Sequence, residues 1–268
     1  PPSPFATIPE DLPFGNRLAA GGPGILFLVP WLVTGGADKV NLDWIRGLAG
    51  RGYRLSVCAP LQAKHEWHSE FCAATPDVFI LRHFLELRDF PRFLVYLIRS
   101  RRIATVIISG STVGYQLVPY LRSRCPDVVF LDLSHVEEPH WLNGGHPRFG
   151  AGYQDQLDLN IVTTSHLRDW MAGRGADPAR IEVCYTGVEA PAPDTTGRRQ
   201  TLRGRLQVPQ ETPVLVYAGR ICAQKRPAML AEILRELAAL GVPFRCLVVG
   251  DGELLPALRR QVRRYGLK

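Results

Sequence analysis

Two cations follow an apolar segment in the second half of the chain. Arg220 comes directly after the strand-like run PVLVYAG, and Lys225 lies five residues further on. A diphosphate is strongly anionic, and charge-assisted hydrogen bonds to its oxygens contribute about 1.5–3 kcal/mol each. The pattern therefore predicts that Arg220 and Lys225 bind phosphate oxygens, with a pair of solvated surface cations as the alternative.

A glycine pair lies between the first apolar run, GILFLVP at 24–30, and a helical pattern. Glycines let a ligand approach the backbone closely, and the start of a helix attracts anions through its free N–H groups. Gly35 and Gly36 are therefore predicted to lie against phosphate groups, although a tight turn would need the same residues. The fingerprints G-x-G-x-x-G and G-x-x-x-x-G-K-[ST], which mark dinucleotide and ATP sites, do not occur in the sequence.

Titratable side chains crowd the segment LDLSHVEEPHWLNGGHPRF, which includes the end of the fifth predicted strand. The segment contains His135, Glu137, Glu138, His140, Trp141 and His146. Polar and aromatic residues at the carboxyl end of a parallel strand are typical of a ligand site. The sequence therefore predicts a functional loop here.

A metal site is the less favoured interpretation of this loop, because the spacing of its ligands matches no standard zinc pattern. No D-x-D motif, which would hold a metal-diphosphate through two aspartates, occurs in the chain. His65 and His68 do not form H-E-x-x-H and are interpreted as surface residues. We therefore predict a metal-independent site that needs no cofactor.

The elements that must position these residues alternate between strand and helix. Strand-like runs lie at 24–30, 54–60, 77–81, 104–110, 127–134, 159–165 and 180–187, and the helical stretches between them include 90–100 and 112–124. This alternation predicts an α/β fold with a parallel sheet that is covered by helices on both faces. Right-handed crossovers then place the carboxyl ends of the strands, and a ligand crevice, at one edge.

Composition divides the chain into three regions. Residues 1–22 are rich in Pro and Gly and are predicted to form an arm or linker, and 23–190 are predicted to form a complete N-terminal Rossmann-like domain. Residues 191–268 begin with a linker and continue with two strand–helix units. Two strands and two helices are too few for a closed core, so we expect a second Rossmann-like domain that is incomplete at Lys268.

The net charge of +7 is unevenly distributed. Residues from Thr195 onward carry 14 Lys and Arg against 5 Asp and Glu, whereas the first 194 residues carry 18 against 20. The basic region predicts an anionic ligand or an anionic membrane surface, with a solvated basic surface as the alternative. The second expectation, a peripheral membrane contact, rests on four arginines of a predicted helix: Arg259, Arg260, Arg263 and Arg264. No nucleic-acid partner is predicted.

The sequence contains no run of 18 apolar residues, and its first residues lack the basic and apolar regions of a secretory signal. Six cysteines are present, and none forms a C-x-x-C pair. These features favour reduced thiols. A cytoplasmic location is therefore predicted, with membrane association as an extension of it.

Together, these segments resemble the retaining glycosyltransferases of family 4. The resemblance rests on VPWLVTGGADKVNLDWIRGLAGRGYRLSVCAP, LDLSHVEEPHW, NIVTTSHLRDWM with RIEVCYTGVE, VYAGRICAQKRP and CLVVGDGELLPALRRQVRRYGL. Its most specific part is the G-R-x4-K element followed by VVGDG. The resemblance implies the GT-B fold, in which two Rossmann-like domains face each other, and it covers the chain from about residue 24 onward.

By this resemblance, the candidate residues acquire roles toward a nucleoside-diphosphate sugar. Gly35 and Gly36 would line the donor phosphates, and His135 matches the active-site histidine that contacts the donor sugar. In the second domain, the implied donor contacts are Arg220 and Lys225 at the diphosphate and, near the nucleoside, Asp251, Gly252 and Glu253. The enzyme would transfer the sugar with retention to a hydroxyl of a glycan or lipid-linked acceptor, and the N-terminal domain would bind that acceptor.

Two features depart from the family pattern. The residue after the lysine is usually Gly, whereas this chain has Arg226-Pro227. The family's E-x7-E element, which helps to hold the donor, lies downstream of Lys268, so the 268 residues alone are expected to be inactive. Two alternatives stay open, a sugar-nucleotide 2-epimerase of the same fold and a non-catalytic transferase-like module of a larger protein.

Overall fold

The computed structural model describes residues 21–188, 190 and 197–267. The chain divides into two compact units, Pro1–Val188 and Glu189–Lys268. The predicted arm lies outside the described residues except for Gly21 and Gly22, and so does 191–196 of the predicted linker. The domain boundaries at 22 and 190 stay a prediction.

Seven parallel strands form one sheet in the first unit. They are β1 (Gly24–Leu28), β2 (Arg54–Ala59), β3 (Asp77–Ile80), β4 (Ile103–Ser109), β5 (Val129–Ser134), β6 (Leu159–Val162) and β7 (Ile181–Val183). Their order is β3-β2-β1-β4-β5-β6-β7, so the direction of winding changes between β1 and β4. The loops that follow the strands therefore open onto one edge, where ligands bind in sheets of this kind.

Six helices lie along the chain between these strands. They are α1 (Gly36–Ala49), α2 (His68–Ala74), α3 (Phe90–Ser100), α4 (Thr112–Arg124), α5 (His146–Gly152) and α6 (Ser165–Ala172). Helix α3 has its predicted bounds because Phe90, Leu94, Leu97 and Ile98 recur at helical spacing and are buried. The prediction of an α/β fold with a parallel sheet is confirmed.

Strand β1 shows how the helices cover both faces of the sheet. Leu26 and Leu28 belong to one buried cluster with Leu94 of α3, whereas Phe27 belongs to a second cluster with Ile45 of α1. All five residues of β1 are buried, as expected for a strand that is covered on both sides. Burial contributes about 1.5–3 kcal/mol for each large apolar side chain, so the middle of the sheet is a rigid support for the loops at its edge.

The second unit contains a parallel pair of strands, β8 (Val214–Ala218) and β9 (Arg245–Val249). Its helices are α7 (Arg198–Arg205), α8 (Pro227–Ala239) and α9 (Leu255–Arg264). Its buried cluster is formed by Ile221, Ala231 and Leu258. The strands are much less buried than β1, and Val216 of β8 is 63% exposed.

Three helices were not predicted, namely α2, α5 and α7. The segment RRQTLRGR of α7 lacks an apolar stripe, and α5 is a short helix that begins inside the predicted functional loop. In the described part of the chain, no helix combines the length and apolar character needed to cross a bilayer.

Candidate active site

The turn between β1 and α1 exposes the start of a 14-residue helix. Gly35 precedes α1 with extended backbone (φ −167°, ψ 163°), and its carbonyl accepts a hydrogen bond of 2.9 Å from the Lys39 amide. Gly35 has no side chain that could cap the helix, and a Cβ at Gly36 would contact nothing within 4 Å. The backbone at Gly36 therefore leaves space for a ligand at the start of α1, where helices attract anions.

A carboxylate lies beside this turn. Asp38, in the first turn of α1, is 6% exposed, and its Oδ1 accepts a hydrogen bond of 3.3 Å from the amide of Val33. A negative side chain at this end of a helix is stabilised by the same dipole that attracts a phosphate. The turn thus offers space and amide donors to a phosphate, but little net positive charge.

His135 follows β5 and is held from two neighbouring strands. Its Nε2 lies 2.9 Å from Oγ of Ser109, the last residue of β4, and its carbonyl accepts a hydrogen bond of 2.7 Å from the Thr163 hydroxyl after β6. Burial and the neighbouring His146 lower the pKa of His135 from 6.5 to about 4. The ring is therefore neutral at pH 7 and presents one donor and one acceptor nitrogen.

His146 lies near His135 because the loop between β5 and α5 turns back on itself. Gly144 (φ 129°) and Gly145 (φ 66°) make this turn, and a Cβ at Gly144 would overlap the Trp170 ring. The His146 ring is 4.8 Å from the ring of Trp141, and burial lowers its pKa to about 4. The predicted loop is thus split, since its last part is helical from His146 onward.

The other titratable residues of this loop face elsewhere. His140 is exposed, and Oε1 of Glu137 lies 2.8 Å from Nε2 of His166 in α6, within hydrogen-bond distance. The backbone of Glu138 pairs with that of Gly144 in an isolated antiparallel bridge. Within the described part of the chain, no three His, Cys, Asp or Glu residues are arranged to hold a metal ion.

A buried polar network supports the carboxyl end of β5. The Asp132 carboxylate accepts hydrogen bonds from the hydroxyls of Tyr115 and Ser134 and, at 2.9 Å, from Nδ2 of Asn160. Gln154 extends the network through a hydrogen bond of 2.9 Å to Asn160. These bonds join β5, the strand that precedes His135, to its neighbour β6 and to α4.

The interpretation of His65 as a surface residue is wrong. His65 is 5% exposed, and its Nδ1 accepts a hydrogen bond of 3.3 Å from the amide of Leu32, in the loop between β1 and α1. The ring is buried because the segment after β2 folds over that loop. His68, in contrast, is exposed at the start of α2, as interpreted.

In the second unit, the loops after β8 and β9 are joined by backbone hydrogen bonds. The amide of Gly219 donates to the Val249 carbonyl at 3.0 Å, and the amide of Ile221 donates to the Asp251 carbonyl at 2.8 Å. Gly250 has a φ of 146°, and a Cβ there would overlap the Gly219 carbonyl. The glycines therefore allow the two loops to run side by side.

Arg220 and Lys225 are exposed on the first of these loops, and a single tyrosine lies beneath them. The hydroxyl of Tyr217 is 3.3 Å from the carbonyl oxygens of both residues. It donates one proton between two acceptors, so it ties both ends of the loop to β8. This contact was not predicted, because Tyr217 lies in an ordinary strand pattern.

The residue after Lys225, where the family pattern has glycine, is an arginine with the backbone conformation that glycine favours. Arg226 has left-handed backbone (φ 46°, ψ 55°) immediately before α8. Glycine adopts this conformation without strain, which explains the family's preference for it. The turn is therefore kept in this chain, with an arginine in the position that favours glycine.

The three residues predicted near the nucleoside lie in the loop after β9. The carboxylate of Asp251 accepts a hydrogen bond of 2.8 Å from the amide of Gly252. Glu253 is exposed in the turn before α9. Asp251 thus shapes its own loop, and the Glu253 carboxylate points to solvent.

The structure therefore assembles the predicted residues into two groups. Gly35, Gly36 and His135 lie at the carboxyl edge of the seven-stranded sheet, whereas the second-unit residues share the carboxyl edge of β8 and β9. Sequence reasoning missed Ser109, although a serine that ends an apolar strand was a usable signal. The roles of all these residues toward a donor stay predictions.

Comparison with known proteins gives the same family at the level of sequence. The model of Glycosyltransferase Family 4 matches residues 34–190. A D-inositol 3-phosphate glycosyltransferase of Kineococcus radiotolerans is 38% identical over 104 residues, which make up 36% of this chain and 22% of that protein. The match thus spans about a fifth of the relative's length.

Solved structures share the fold at low sequence identity. Alr3699/HepE of Anabaena, in complex with UDP and glucose, has a TM-score of 0.69 at 16% identity, over 92% of this chain and 67% of that one. A UDP-GlcNAc 2-epimerase of Neisseria meningitidis, bound to UDP-GlcNAc, has a TM-score of 0.57 at 10% identity, over 90% and 69%. Both structures show the fold alone, and the epimerase is the more distant.

Proposed function

The chain belongs to glycosyltransferase family 4, and from this premise we propose that it transfers a sugar from a nucleoside-diphosphate sugar to a hydroxyl acceptor with retention. One observation carries the donor class. The loop after β8 exposes Arg220 and Lys225, and in the part of the chain that the structure describes neither forms an ion pair with a carboxylate. The UDP held by the Anabaena protein of the same fold supports a nucleoside diphosphate as the ligand.

The chemistry of the step explains why two cations are needed. When the bond between the sugar and the diphosphate breaks, negative charge develops on the departing diphosphate. Arg220 and Lys225 would stabilise that charge, and amides at the start of α1 would add hydrogen bonds. Because these side chains supply the positive charge, the proposal requires no metal ion.

His135 would position the donor sugar. Its neutral ring is fixed by Ser109 through Nε2, which leaves Nδ1 for a hydrogen bond to a ligand. When Ser109 donates to Nε2, the proton of the ring resides on Nδ1 and can be donated to a sugar hydroxyl. This role is consistent with a low pKa, because an uncharged ring orients a hydroxyl without competing for the diphosphate.

The acceptor is proposed to be a hydroxyl of a glycan or of a lipid-linked saccharide, bound at the carboxyl edge of the seven-stranded sheet. The exposed arginines of α9 would bring the second unit to an anionic membrane surface, with a solvated helix face as the alternative. Among the described residues, none of these four arginines has an ion pair: Arg259, Arg260, Arg263 and Arg264.

Product analysis of the full-length protein tests the reaction. The protein is incubated with a panel of nucleoside-diphosphate sugars and hydroxyl acceptors, and the products are separated and examined by NMR. We expect a glycoside whose anomeric configuration equals that of the donor. An epimerised sugar nucleotide or free epimerised sugar, formed without an acceptor, would instead identify a 2-epimerase, and binding without turnover would identify a non-catalytic module.

A further inference from the structure

His65 has a backbone conformation that is unusual for its residue type. It lies between β2 and α2 with a φ of 51°, in the left-handed region that residues with a Cβ avoid. It is also 5% exposed, although the surrounding segment is mostly polar. A buried histidine in a strained conformation persists only when its surroundings hold it there.

The side chain of His65 hydrogen-bonds the loop that leads to Gly35 and Gly36. Its Nδ1 accepts the amide proton of Leu32 at 3.3 Å, and the amide of Trp67 donates to the Leu32 carbonyl at 3.0 Å. The amide of Leu61 donates to the Pro30 carbonyl at 3.1 Å. Residues 61–67 therefore clamp the middle of the β1–α1 loop through three hydrogen bonds, and His65 supplies the one made by a side chain.

The clamp requires a neutral ring, because only an unprotonated Nδ1 accepts a hydrogen bond. Burial and the nearby ring of His83, at 5.8 Å, lower the pKa of His65 below 6.5, and His68 acts in the same direction. The Leu61 carbonyl and Glu66 oppose this shift less strongly. Among the described residues, no group forms a hydrogen bond of normal geometry with the buried Nε2.

We propose that His65 is a positioning residue, which fixes the β1–α1 loop by accepting the Leu32 amide and so presents the start of α1 to the donor diphosphate. The proposal rests on the proposed function, since it takes the donor as the ligand of that loop. Protonation of Nδ1 would replace the acceptor by a second donor facing the Leu32 amide. The loop would then be released as the pH falls below 6.5, the ordinary value of the histidine pKa.

Two substitutions separate the hydrogen bond from the backbone conformation. His65→Gly permits left-handed backbone but removes the acceptor, whereas His65→Asn permits that backbone and keeps an acceptor oxygen. His68→Asn is the matched control for exchange and kinetics at pH 7.5, because the exposed His68 ring lies against Cys72 and makes none of the three hydrogen bonds of the clamp. Amide exchange at Leu32 and at Phe27 in β1 shows whether the loop is released while the sheet stays folded.

Donor kinetics of the full-length enzyme supply the functional measurement. For His65→Gly we expect fast exchange at Leu32, a donor KM about fivefold higher and a kcat within twofold of the wild type. His65→Asn should restore slow exchange at Leu32 and the wild-type donor KM. Its donor KM should also stay constant below pH 6.5, where that of the wild type rises. An unchanged donor KM in an active His65→Gly enzyme, or a His65→Asn enzyme no better than His65→Gly, would overturn the role of His65. Absence of transfer by the wild type would instead count against the proposed function.

Discussion

Arg226 has left-handed backbone, a conformation that residues with a Cβ rarely adopt. Left-handed backbone costs a residue with a Cβ about 1–2 kcal/mol, and part of that would be regained by glycine despite its greater freedom in the unfolded chain. Arg226→Gly should therefore raise the free energy of unfolding by about 0.5–1 kcal/mol. Urea unfolding measures this change.

A control substitution has the opposite expected sign. Arg264 lies in the last turn of α9, where right-handed backbone is required. Arg264→Gly should therefore lower the free energy of unfolding by up to about 1 kcal/mol. If Arg226→Gly destabilises the protein as much as Arg264→Gly, the left-handed turn before α8 is not the conformation in solution.

Asp132 gives a prediction about pH. Burial raises the pKa of its carboxyl from 3.8 to about 6, against the lowering effect of the hydrogen bonds from Tyr115, Asn160 and Ser134. Between these values the folded protein holds a proton that the unfolded chain releases, so this group makes folding less favourable as the pH rises.

The corresponding measurement compares the wild type with Asp132→Asn, which cannot ionise. The amide NH2 of asparagine would face the Tyr115, Ser134 and Asn160 groups that donate to Asp132. The variant should therefore be less stable than the wild type at pH 4 by about 1–3 kcal/mol. This deficit should shrink as the pH rises from 4 to 6, because only the wild type loses stability through its carboxyl. A deficit that is constant over this range would show that Asp132 ionises normally in the folded state.

At the residue level, the sequence predicted candidate side chains but not what holds them. The cations after β8 were predicted from their types and positions, and His135 from its loop and the family resemblance. The hydrogen bond between Ser109 and His135 joins residues 26 apart, and it depends on β4 and β5 being neighbours in the sheet. Contacts between residues distant in the chain are not visible in local patterns, so neither the bond between Ser109 and His135 nor the burial of His65 was predicted.

At the level of elements, Gly250 permits the close approach of the two loops of the second unit. Gly250→Ala would place a Cβ against the Gly219 carbonyl, in a conformation with a φ of 146°. We expect this substitution to lower the stability of the second unit by about 1–3 kcal/mol and to separate the loops after β8 and β9. Amide exchange of Gly219 and Ile221, which donate across the loops, measures the separation directly.

Gly204→Ala serves as its control. Gly204 lies inside α7, and a Cβ there would meet nothing within 4 Å. Alanine is the better helix former, so stability should rise by up to about 1 kcal/mol. Equal effects of the two alanines would contradict the close approach of the two loops.

Elements were predicted well where an apolar period is long and unbroken. Strand β1 and helix α3 bury nearly all of their apolar residues, so the sequence pattern follows the packing directly. Helix α5 begins at His146-Pro147 after two glycines, in a segment whose composition is typical of a loop. Its position depends on packing between its own residues and β5, which the local sequence does not reveal.

For the whole molecule, the uneven charge predicts that a membrane would contact the basic second unit through α9. Each arginine near an anionic surface contributes about 1 kcal/mol, so replacing all four exposed arginines of α9 by glutamine should lower binding to phosphatidylserine vesicles at least tenfold. Binding of the wild type should also fall with salt, because exposed charges are screened. Co-sedimentation measures both, and equal binding to neutral phosphatidylcholine vesicles would contradict an electrostatic contact.

The assignment of function depends most on the cation that follows β8. In the full-length enzyme, Lys225→Ala removes one charge-assisted hydrogen bond to the departing diphosphate, so kcat/KM for sugar transfer should fall about 10- to 100-fold. Arg245→Ala is the control, because Arg245 is an exposed cation at the opposite end of β9, and it should leave kcat/KM within twofold of the wild type. A Lys225→Ala enzyme that keeps the wild-type kcat/KM would contradict the diphosphate site.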